Sequence, residues 1–303
     1  MFKIAVQTGG PEEIYGIDET YRIIREAGFD GVDVNADHLL TYDEVQKRVR
    51  TKAFEGTDKD VLPYFEPWKK ASEKWGLDNF QTHAPFPCYV EDEGDYNDYL
   101  IDILRKTVIG CDHIGCRNLI VHPFFLGYEN RLSKEAEWDL NIESYSKLIP
   151  VAKEYGVTIC LENMFGRYRG KIYSAICSDT AEACRYIDTL NGIAGCEVFG
   201  FCFDTGHNLL VGKDVKQSML ELGCRIKAFH VHDNDGKDDL HMPPYTGILD
   251  WNSFIEGLKL LRFDTTLSFE TFAMWRTFDL EIAPYMLRAI AETGRVFAHR
   301  ASE

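Results

Sequence analysis

Eight short apolar segments, separated by longer amphipathic ones, constrain the fold of this chain more than any other feature of its sequence. The segments occupy residues 3–8, 31–35, 79–83, 118–122, 158–162, 200–204, 227–232 and 266–270. Most are almost entirely apolar, which is typical of parallel strands buried on both faces. Helical patterns fill the intervals, and several end at a glycine such as Gly28, Gly76, Gly156 or, in the last helix, Gly294. We therefore predict an α/β fold, a (β/α)8 TIM barrel that forms a single domain over residues 1–303.

A doubly wound open sheet would give the same alternation of strands and helices. After the first segment, however, the chain reads Thr8-Gly9-Gly10-Pro11, which is not the GxGxxG fingerprint of dinucleotide-binding sheets. No shift in composition marks a linker. The long intervals after the second and third segments, including an acidic stretch at 91–98, would lie at the active-site face of a barrel.

The overall composition is that of a globular protein, with 45% hydrophobic and 27% charged residues. No apolar run approaches the roughly 20 residues that cross a bilayer, and the N-terminal residues read as a strand and not as a signal peptide. The nine cysteines include no CxxC pair. This favours free, buried thiols in a reducing compartment over a thiolate metal site or a catalytic cysteine. We expect a cytoplasmic protein with no membrane association.

The charge of the chain, formally −16, opposes long-range attraction to nucleic acid. One local exception is the basic cluster of Arg167, Arg169 and Lys171, which could hold a phosphate or carboxylate of a substrate or could equally be a solvated loop. Trp251 is a candidate for stacking on the apolar face of a sugar, together with Phe86 and Tyr245, although such residues also suit a core. Both a monomer and a homo-oligomer are compatible with this composition.

Histidines and carboxylates stand where several of the predicted strands end. Glu162, Asp204, His232 and Glu270 end the fifth to the eighth segments. The carboxyl ends of barrel strands meet at one rim, so these side chains should converge. Three carboxylates and one imidazole suit Mn²⁺, Mg²⁺, Co²⁺ or Zn²⁺, and we predict a divalent metal site. His230, two residues before His232, is interpreted as a packed, hydrogen-bonded histidine of the barrel.

A second set of residues could serve the same site. The set comprises His83, His122, His207, Asp239 and His241. Residues that support metal ligands often look like ligands in a sequence. Three interpretations therefore stay open for this set, namely further metal ions, contacts to substrate or ligands, and structural roles.

Seven motifs carry a resemblance to a known family. They are THAPF at 82–86, LEN at 161–163, FDTGH at 203–207, HVHDNDGK at 230–237, DLHMPP at 239–244, GILDW at 247–251 and FET at 269–271. Together they resemble the xylose isomerase-like TIM-barrel superfamily, and more narrowly its sugar phosphate isomerase/epimerase branch. The similarity spans nearly the whole chain in order.

The resemblance implies a role for each matching position. Glu162, Asp204, His232 and Glu270 match the metal ligands of ketose 3-epimerases, in which the two glutamates also move protons at the reacting carbon. His207 matches a histidine that contacts substrate. The implied function is a divalent-metal-dependent isomerase or epimerase of a sugar or sugar phosphate, which acts through a metal-stabilised enediolate with Glu162 and Glu270 as acid and base.

This sequence departs from the epimerase pattern at two positions. Tyr168 stands where that pattern has a glutamate, and Asp238 stands where it has an arginine. Specificity for a ketose 3-epimerase substrate is therefore not implied, and neither the sugar nor its phosphorylation is fixed.

Two other functions fit the same superfamily. The endonuclease IV type of apurinic endonuclease has a three-zinc site, and its ligand pattern matches the four predicted ligands and the five residues of the second set. The acidic stretch at 91–98 and the net charge weigh against an enzyme that must approach phosphates. The other alternative is a sugar-binding barrel that keeps the fold without turnover.

Overall fold

Ten strands are present in the computed structural model, which describes residues 2–262 and 265–303. The strands are β1 (Lys3–Gln7), β2 (Gly31–Asn35), β3 (Asp78–His83), β4 (Asn118–Val121), β5 (Thr158–Glu162), β6 (Phe165–Tyr168), β7 (Lys171–Ser174), β8 (Phe199–Asp204), β9 (Ile226–His230) and β10 (Thr266–Phe269).

Eight of these strands form one parallel sheet that curls into a barrel. Their order is β10-β1-β2-β3-β4-β5-β8-β9. The two edge strands meet through a parallel bridge between Val231 and Phe269, where the Val231 amide donates to the Ser268 carbonyl at 2.8 Å. The prediction of a (β/α)8 TIM barrel is therefore confirmed.

Helices cover the outside of the barrel. They are α1 (Gly9–Tyr15), α2 (Ile17–Ala27), α3 (Tyr42–Gln46), α4 (Leu62–Trp75), α5 (Gly94–His113), α6 (Lys134–Ser146), α7 (Ile149–Tyr155), α8 (Thr180–Ala194), α9 (Thr205–Leu210), α10 (Val215–Leu222), α11 (Trp251–Leu261), α12 (Met274–Thr277) and α13 (Ala283–Ser302). Short 3₁₀ helices cover Asp37–Leu39, Lys52–Phe54, Asp58–Val61, Tyr128–Asn130 and Gly223–Arg225. No helix in the described ranges is both long and apolar enough to cross a membrane.

The remaining two strands form a hairpin at the mouth of the barrel. Strands β6 and β7 pair antiparallel, and Arg169 and Gly170 link them with φ values of 50° and 76°. Positive φ at both positions of a two-residue loop matches the twist of the flanking strands. The basic cluster predicted from the sequence is thus part of a hairpin that precedes α8.

The barrel interior changes from apolar to polar along its axis. Ile120, Cys160, Cys202 and Ala228 form one buried layer inside β4, β5, β8 and β9. Side chains two residues apart on a strand point to the same side. The next layer toward the carboxyl ends therefore consists of His122, Glu162, Asp204 and His230, and this change of chemistry positions the site.

Candidate metal centre

The central group of the site lies on the axis of the barrel. Ligand atoms of Glu162, Asp204, His230 and Glu270 all lie within 4.8 Å of one another. The Nδ1 atom of His230 is 3.3 Å from Glu162 Oε1, 3.5 Å from Glu270 Oε2 and 3.9 Å from Asp204 Oδ2. Three carboxylates around one imidazole nitrogen are the donor set that a divalent cation requires.

A buried carboxylate on β2 fixes the orientation of His230. The Nε2 atom of His230 lies 3.1 Å from Asp33 Oδ2, which also accepts a hydrogen bond from the Gln81 amide at 2.8 Å. Asp33 and His230 are both completely buried. A proton held on Nε2 by a carboxylate leaves Nδ1 free as a ligand, which is the usual arrangement behind a metal-binding histidine.

A first flanking group shares Glu162 with the central group. The Nε2 atoms of His83 and His122 lie 3.1 Å apart, and both face Glu162 Oε2 at 3.9 and 3.5 Å. On its other side, the His83 ring has its Nδ1 3.3 Å from an oxygen of Asp37. The two imidazoles and the carboxylate could hold a second cation beside the first.

A second flanking group lies on the opposite side of the centre. Asp239 Oδ2 is 3.3 Å from His207 Nε2 and 2.8 Å from His241 Nε2. The ring of His232 stacks on that of His241 with 4.2 Å between centroids, and its Nε2 is 3.0 Å from both carboxylate oxygens of Asp204. His232 therefore connects this group to the centre.

The FDTGH segment shows why these residues occur together. Asp204 ends β8 and caps α9, since its Oδ1 accepts a hydrogen bond from the His207 amide at 2.6 Å. The Thr205 hydroxyl oxygen accepts a hydrogen bond from the His232 amide at 3.0 Å. A Cβ on Gly206 would lie 2.0 Å from the ring of His232, so the close approach requires glycine.

Opposite charges shift the pKa values of the groups in this site. Burial opposes ionisation of Glu162, but the charge of His230 and the close approach of His122, His207 and His230 hold its pKa well below the usual range. Burial likewise works against charge on the histidines. Nearby carboxylates nevertheless raise the pKa of His83 to about 9, mainly through Asp37, and that of His241 to about 10, mainly through Glu270. The carboxylates and imidazoles of the site therefore favour each other's charged forms.

Unpaired buried atoms show that the site fits a cation. Among the described residues, Glu162 Oε2, His230 Nδ1 and Asp239 Oδ1 are buried without a hydrogen-bond partner. Glu162 belongs to the central and the first flanking group, His230 to the central group and Asp239 to the second flanking group. Such atoms are costly to bury unless a ligand compensates them. A divalent ion would be coordinated by the oxygen and nitrogen atoms that these groups present.

A cavity of about 770 Å³ opens above the three groups. Glu162 and Glu270 line it, as do the flanking residues His83, His122, His207, Asp239 and His241. Asp204 and His230 are completely buried beneath. The three groups that could hold metal ions therefore border a space large enough for an organic substrate.

The structure brings some of the predicted residues to the site and leaves others outside it. The structure places His230 Nδ1 among the central carboxylates, whereas the predicted ligand His232 lies beyond the end of β9 with its Nε2 3.0 Å from both oxygens of Asp204. The interpretation of His230 as a packed, hydrogen-bonded residue agrees with its complete burial and its contact with Asp33.

The residues predicted to bind substrate do not line the cavity. Arg167 pairs with Asp238 at 2.6 Å, and Arg169 lies over the ring of Tyr168. Lys171 is exposed on β7, and Trp251 is 4% exposed with its Nε1 donating to Asp233 at 3.0 Å. Local ion pairing and core packing therefore account for these side chains.

Sequence reasoning missed three residues that support the site. Asp33 orients His230, and Gln7 donates a hydrogen bond to Glu270 Oε1 at 2.6 Å. Asn163 forms a pair of hydrogen bonds with the backbone of Asp204, at 2.8 and 2.9 Å. A signal existed for Asp33, because it is a charged residue between Val32 and Val34 in a buried strand.

The family model described as xylose isomerase-like TIM barrel matches residues 21–292. This chain belongs to the xylose isomerase-like TIM barrel family. The family assignment agrees with the resemblance seen in the motifs and with the barrel.

Three curated relatives of this family member differ in what their names say. An uncharacterized protein of Methanocaldococcus jannaschii is 26% identical over 197 residues, 62% of this chain and 63% of the relative, so the match spans less than two thirds of that protein. A probable endonuclease 4 of Geobacillus kaustophilus is 22% identical over 70% of this chain and 69% of the relative. An inosose dehydratase of Histophilus somni is 24% identical over 77% and 67%.

Solved structures of sugar epimerases share the fold of this family member. The 3-keto-D-glucoside 4-epimerase of E. coli has a TM-score of 0.71 at 17% identity, with 98% of this chain and 100% of the other covered. The D-allulose 3-epimerase of Methylomonas sp., in complex with D-allulose, has a TM-score of 0.71 at 15% identity, with 99% and 97% covered. At such identities the likeness shows the barrel fold.

Proposed function

We propose that this protein is a divalent-metal-dependent isomerase or epimerase that removes and returns a proton next to a carbonyl of a sugar. The observation that carries the proposal is that two of the three central carboxylates line the cavity. Glu162 and Glu270 reach the cavity, while Asp204 is completely buried beneath them. Two carboxylates that can meet a substrate from different strands suit the removal of a proton at one face of a carbon and its return at the other.

The hydrogen bonds of the two glutamates support their roles as base and acid. Gln7 fixes Oε1 of Glu270, and Oε2 faces His230 and His241 at 3.5 and 3.2 Å. Glu162 directs Oε1 to His207 and His230 at 3.3 Å and leaves Oε2 without a hydrogen bond. Both carboxylates are therefore held in place, and Glu162 keeps one oxygen without a hydrogen bond.

The buried residues of the centre would hold the ion. Asp204 and His230 lie below the cavity, where they can bind an ion without blocking the substrate. When bound, a divalent cation supplies positive charge that stabilises the negative charge developing on neighbouring substrate oxygens. His83, His122 and His207, which line the same space, are placed to donate hydrogen bonds to hydroxyl groups of the sugar.

The names of the relatives are consistent with this chemistry. Epimerisation of a keto-sugar and dehydration of an inosose both begin when a base removes a proton beside a carbonyl. The proposal therefore concerns this shared first step, and the choice of isomerisation or epimerisation depends on where the proton returns.

The test is the exchange of carbon-bound hydrogen with solvent. Metal-loaded protein is incubated in deuterated water with a panel of ketoses, keto-glycosides and their phosphates, with and without a chelator. We expect metal-dependent deuterium incorporation that Glu162→Gln and Glu270→Gln each lower by about 10²–10⁴-fold. The matched control is Glu143→Gln, which alters an exposed residue of α6. If the metal-loaded protein exchanged no carbon-bound hydrogen across the panel, the proposed isomerase or epimerase function would be ruled out.

A metal-dependent phosphodiesterase of the endonuclease 4 kind is a second candidate, favoured by the two flanking groups. Three adjacent groups of ligands could hold three ions, as in the endonuclease resemblance. The cavity opposes a nucleic-acid substrate, because Glu13, Asp37 and Glu91 line it and Arg276 is the one arginine or lysine among the described lining residues. Cleavage of abasic-site DNA by the metal-loaded protein, without exchange of sugar hydrogens, would favour the phosphodiesterase.

A further inference from the structure

One side of the cavity is an apolar surface that the proposed chemistry does not use. Five half-buried side chains form this surface, which we call the apolar wall: Phe86, Phe125, Leu126, Met164 and Phe165. They follow β3, β4 and β5, which are neighbours in the barrel, so they line adjacent parts of the cavity. Exposed apolar side chains in a cleft mark a place where a ligand removes apolar surface from water.

The apolar wall begins directly at the metal centre. The ring of Phe86 lies 4.6 Å from that of His122, and the ring of Phe165 lies 5.0 Å from that of His207, measured between centroids. A substituent attached to a sugar at the centre would meet these rings without a spacer.

The volume of the cavity exceeds what a single sugar needs. Cavities of roughly 300–1,000 Å³ enclose drug-sized ligands, and this one measures about 770 Å³. A monosaccharide is smaller than such ligands, so it would fill the part next to the ligand groups and leave the apolar wall exposed.

The charges around the cavity disfavour a phosphorylated substrate relative to an uncharged one. Phosphate recognition relies on Arg or Lys side chains. In the described lining, Arg276 alone is of this kind, and it is exposed and lies 3.5 Å from Glu13. Acidic side chains such as Glu13 and Glu91 outnumber it.

We propose that the substrate is an uncharged sugar derivative that carries an apolar, preferably aromatic, substituent bound against the apolar wall. The sugar half of this inference rests on the proposed function. The apolar half rests on the wall, on its contact with the centre and on the volume. The substituent would increase the affinity for substrate without taking part in proton transfer. The apolar wall would therefore select among sugars by their substituents.

The test compares two glucosides that differ only in the anomeric substituent, together with a phosphorylated sugar. Calorimetry with Mn²⁺-loaded protein measures the Kd of phenyl β-D-glucopyranoside, methyl β-D-glucopyranoside and D-glucose 6-phosphate. We expect the phenyl compound to bind at least about tenfold more tightly than the methyl compound, because burial of a phenyl ring favours binding by at least that factor. We expect the phosphate to bind more weakly than the phenyl compound.

Two variants locate the effect at the apolar wall. Phe125→Ala and Leu126→Ala should each lower the ratio of the Kd of the methyl compound to the Kd of the phenyl compound by several-fold. Tyr285→Ala alters a residue of α13 that is 75% exposed and should leave this ratio unchanged. Equal binding of the phenyl and methyl compounds, no binding of the phenyl compound, or tighter binding of the phosphate would overturn the inference. Binding needs no turnover, so these results are separate from hydrogen exchange, which tests the proposed function.

Discussion

His230 and Asp33 form a buried pair in which the imidazole Nε2 lies 3.1 Å from the carboxylate. The pair joins β9 to β2 across the barrel and turns His230 Nδ1 toward Glu162 and Glu270. The central group therefore depends on a residue that does not reach it.

Substitution of Asp33 should weaken metal binding. Asp33→Asn keeps the size of the side chain but removes the charge that holds the proton on His230 Nε2. Loss of such a partner typically lowers metal affinity about 10–100-fold. Chelator competition would measure the affinity, with Asp139→Asn on the exposed side of α6 as the control. An unchanged affinity in a folded Asp33→Asn protein would contradict the orienting role.

Metal binding should release protons and weaken at low pH. In the ion-free protein the pKa of His83 is raised to about 9 and that of His241 to about 10, so both rings are protonated at pH 7. Because only the neutral ring binds a metal, an ion in a flanking group must displace these protons. The affinity should therefore rise with pH until the pH passes about 9 for His83 and about 10 for His241. Titration with Zn²⁺ in weak buffer should acidify the solution, and no pH change would argue that these histidines are not ligands.

Gly206 should be indispensable for the second flanking group. In Gly206→Ala the new Cβ would lie 2.0 Å from His232, so the ring must move away from Asp204. We expect metal content to fall while the barrel still folds. The matched control is Gly192→Ala on α8, where a Cβ meets no atom within 4 Å and alanine suits the helix better than glycine. Equal metal content in the two variants would contradict the steric argument.

Glu12 should make the protein less stable as pH rises. Burial raises the pKa of Glu12 from 4.5 to about 8, against hydrogen bonds from Trp68 and Thr8. The folded state thus favours the neutral acid. This contribution is complete below pH 4.5 and is lost as the pH rises through about 8. Glu12→Gln should nearly match the parent protein at pH 5 and exceed its stability by up to about 5 kcal/mol at pH 9. Denaturant unfolding at the two pH values measures this difference, and a constant difference would refute it.

The strands were predictable because each is a short apolar run between polar ones. Residues 31–35 and 158–162 form strands with the predicted bounds, and the other six differ by one or two residues at an end. Burial on both faces produces this pattern, so it survives without knowledge of tertiary contacts.

Helix ends were harder to predict where glycine has a packing role. The pattern places the end of the last helix at Gly294, yet α13 continues to Ser302. A Cβ on Gly294 would lie 2.8 Å from Ile4 and Phe269, so this glycine lets the helix approach the barrel. The hairpin of β6 and β7 was also missed, since its two strands lie outside the barrel and lack an apolar run.

The depth of a residue in the barrel could not be predicted from the sequence. His230 and His232 share a face of their segment, so alternation alone does not separate them. The pairing of β8 with β9 shifts register between Phe201 and Cys202 and sets His230 opposite Asp204. Such a shift depends on strand pairing, which the residues of one strand do not reveal.

The most direct test of the central claim is the metal content of the purified protein after saturation with Mn²⁺ or Zn²⁺ and removal of free ions. We expect at least one tightly bound divalent ion per chain, and about three if both flanking groups are filled. Asp204→Asn combined with His230→Gln should abolish the central ion. A parent protein that retains no ion, or a double variant that retains as much as the parent, would contradict the account.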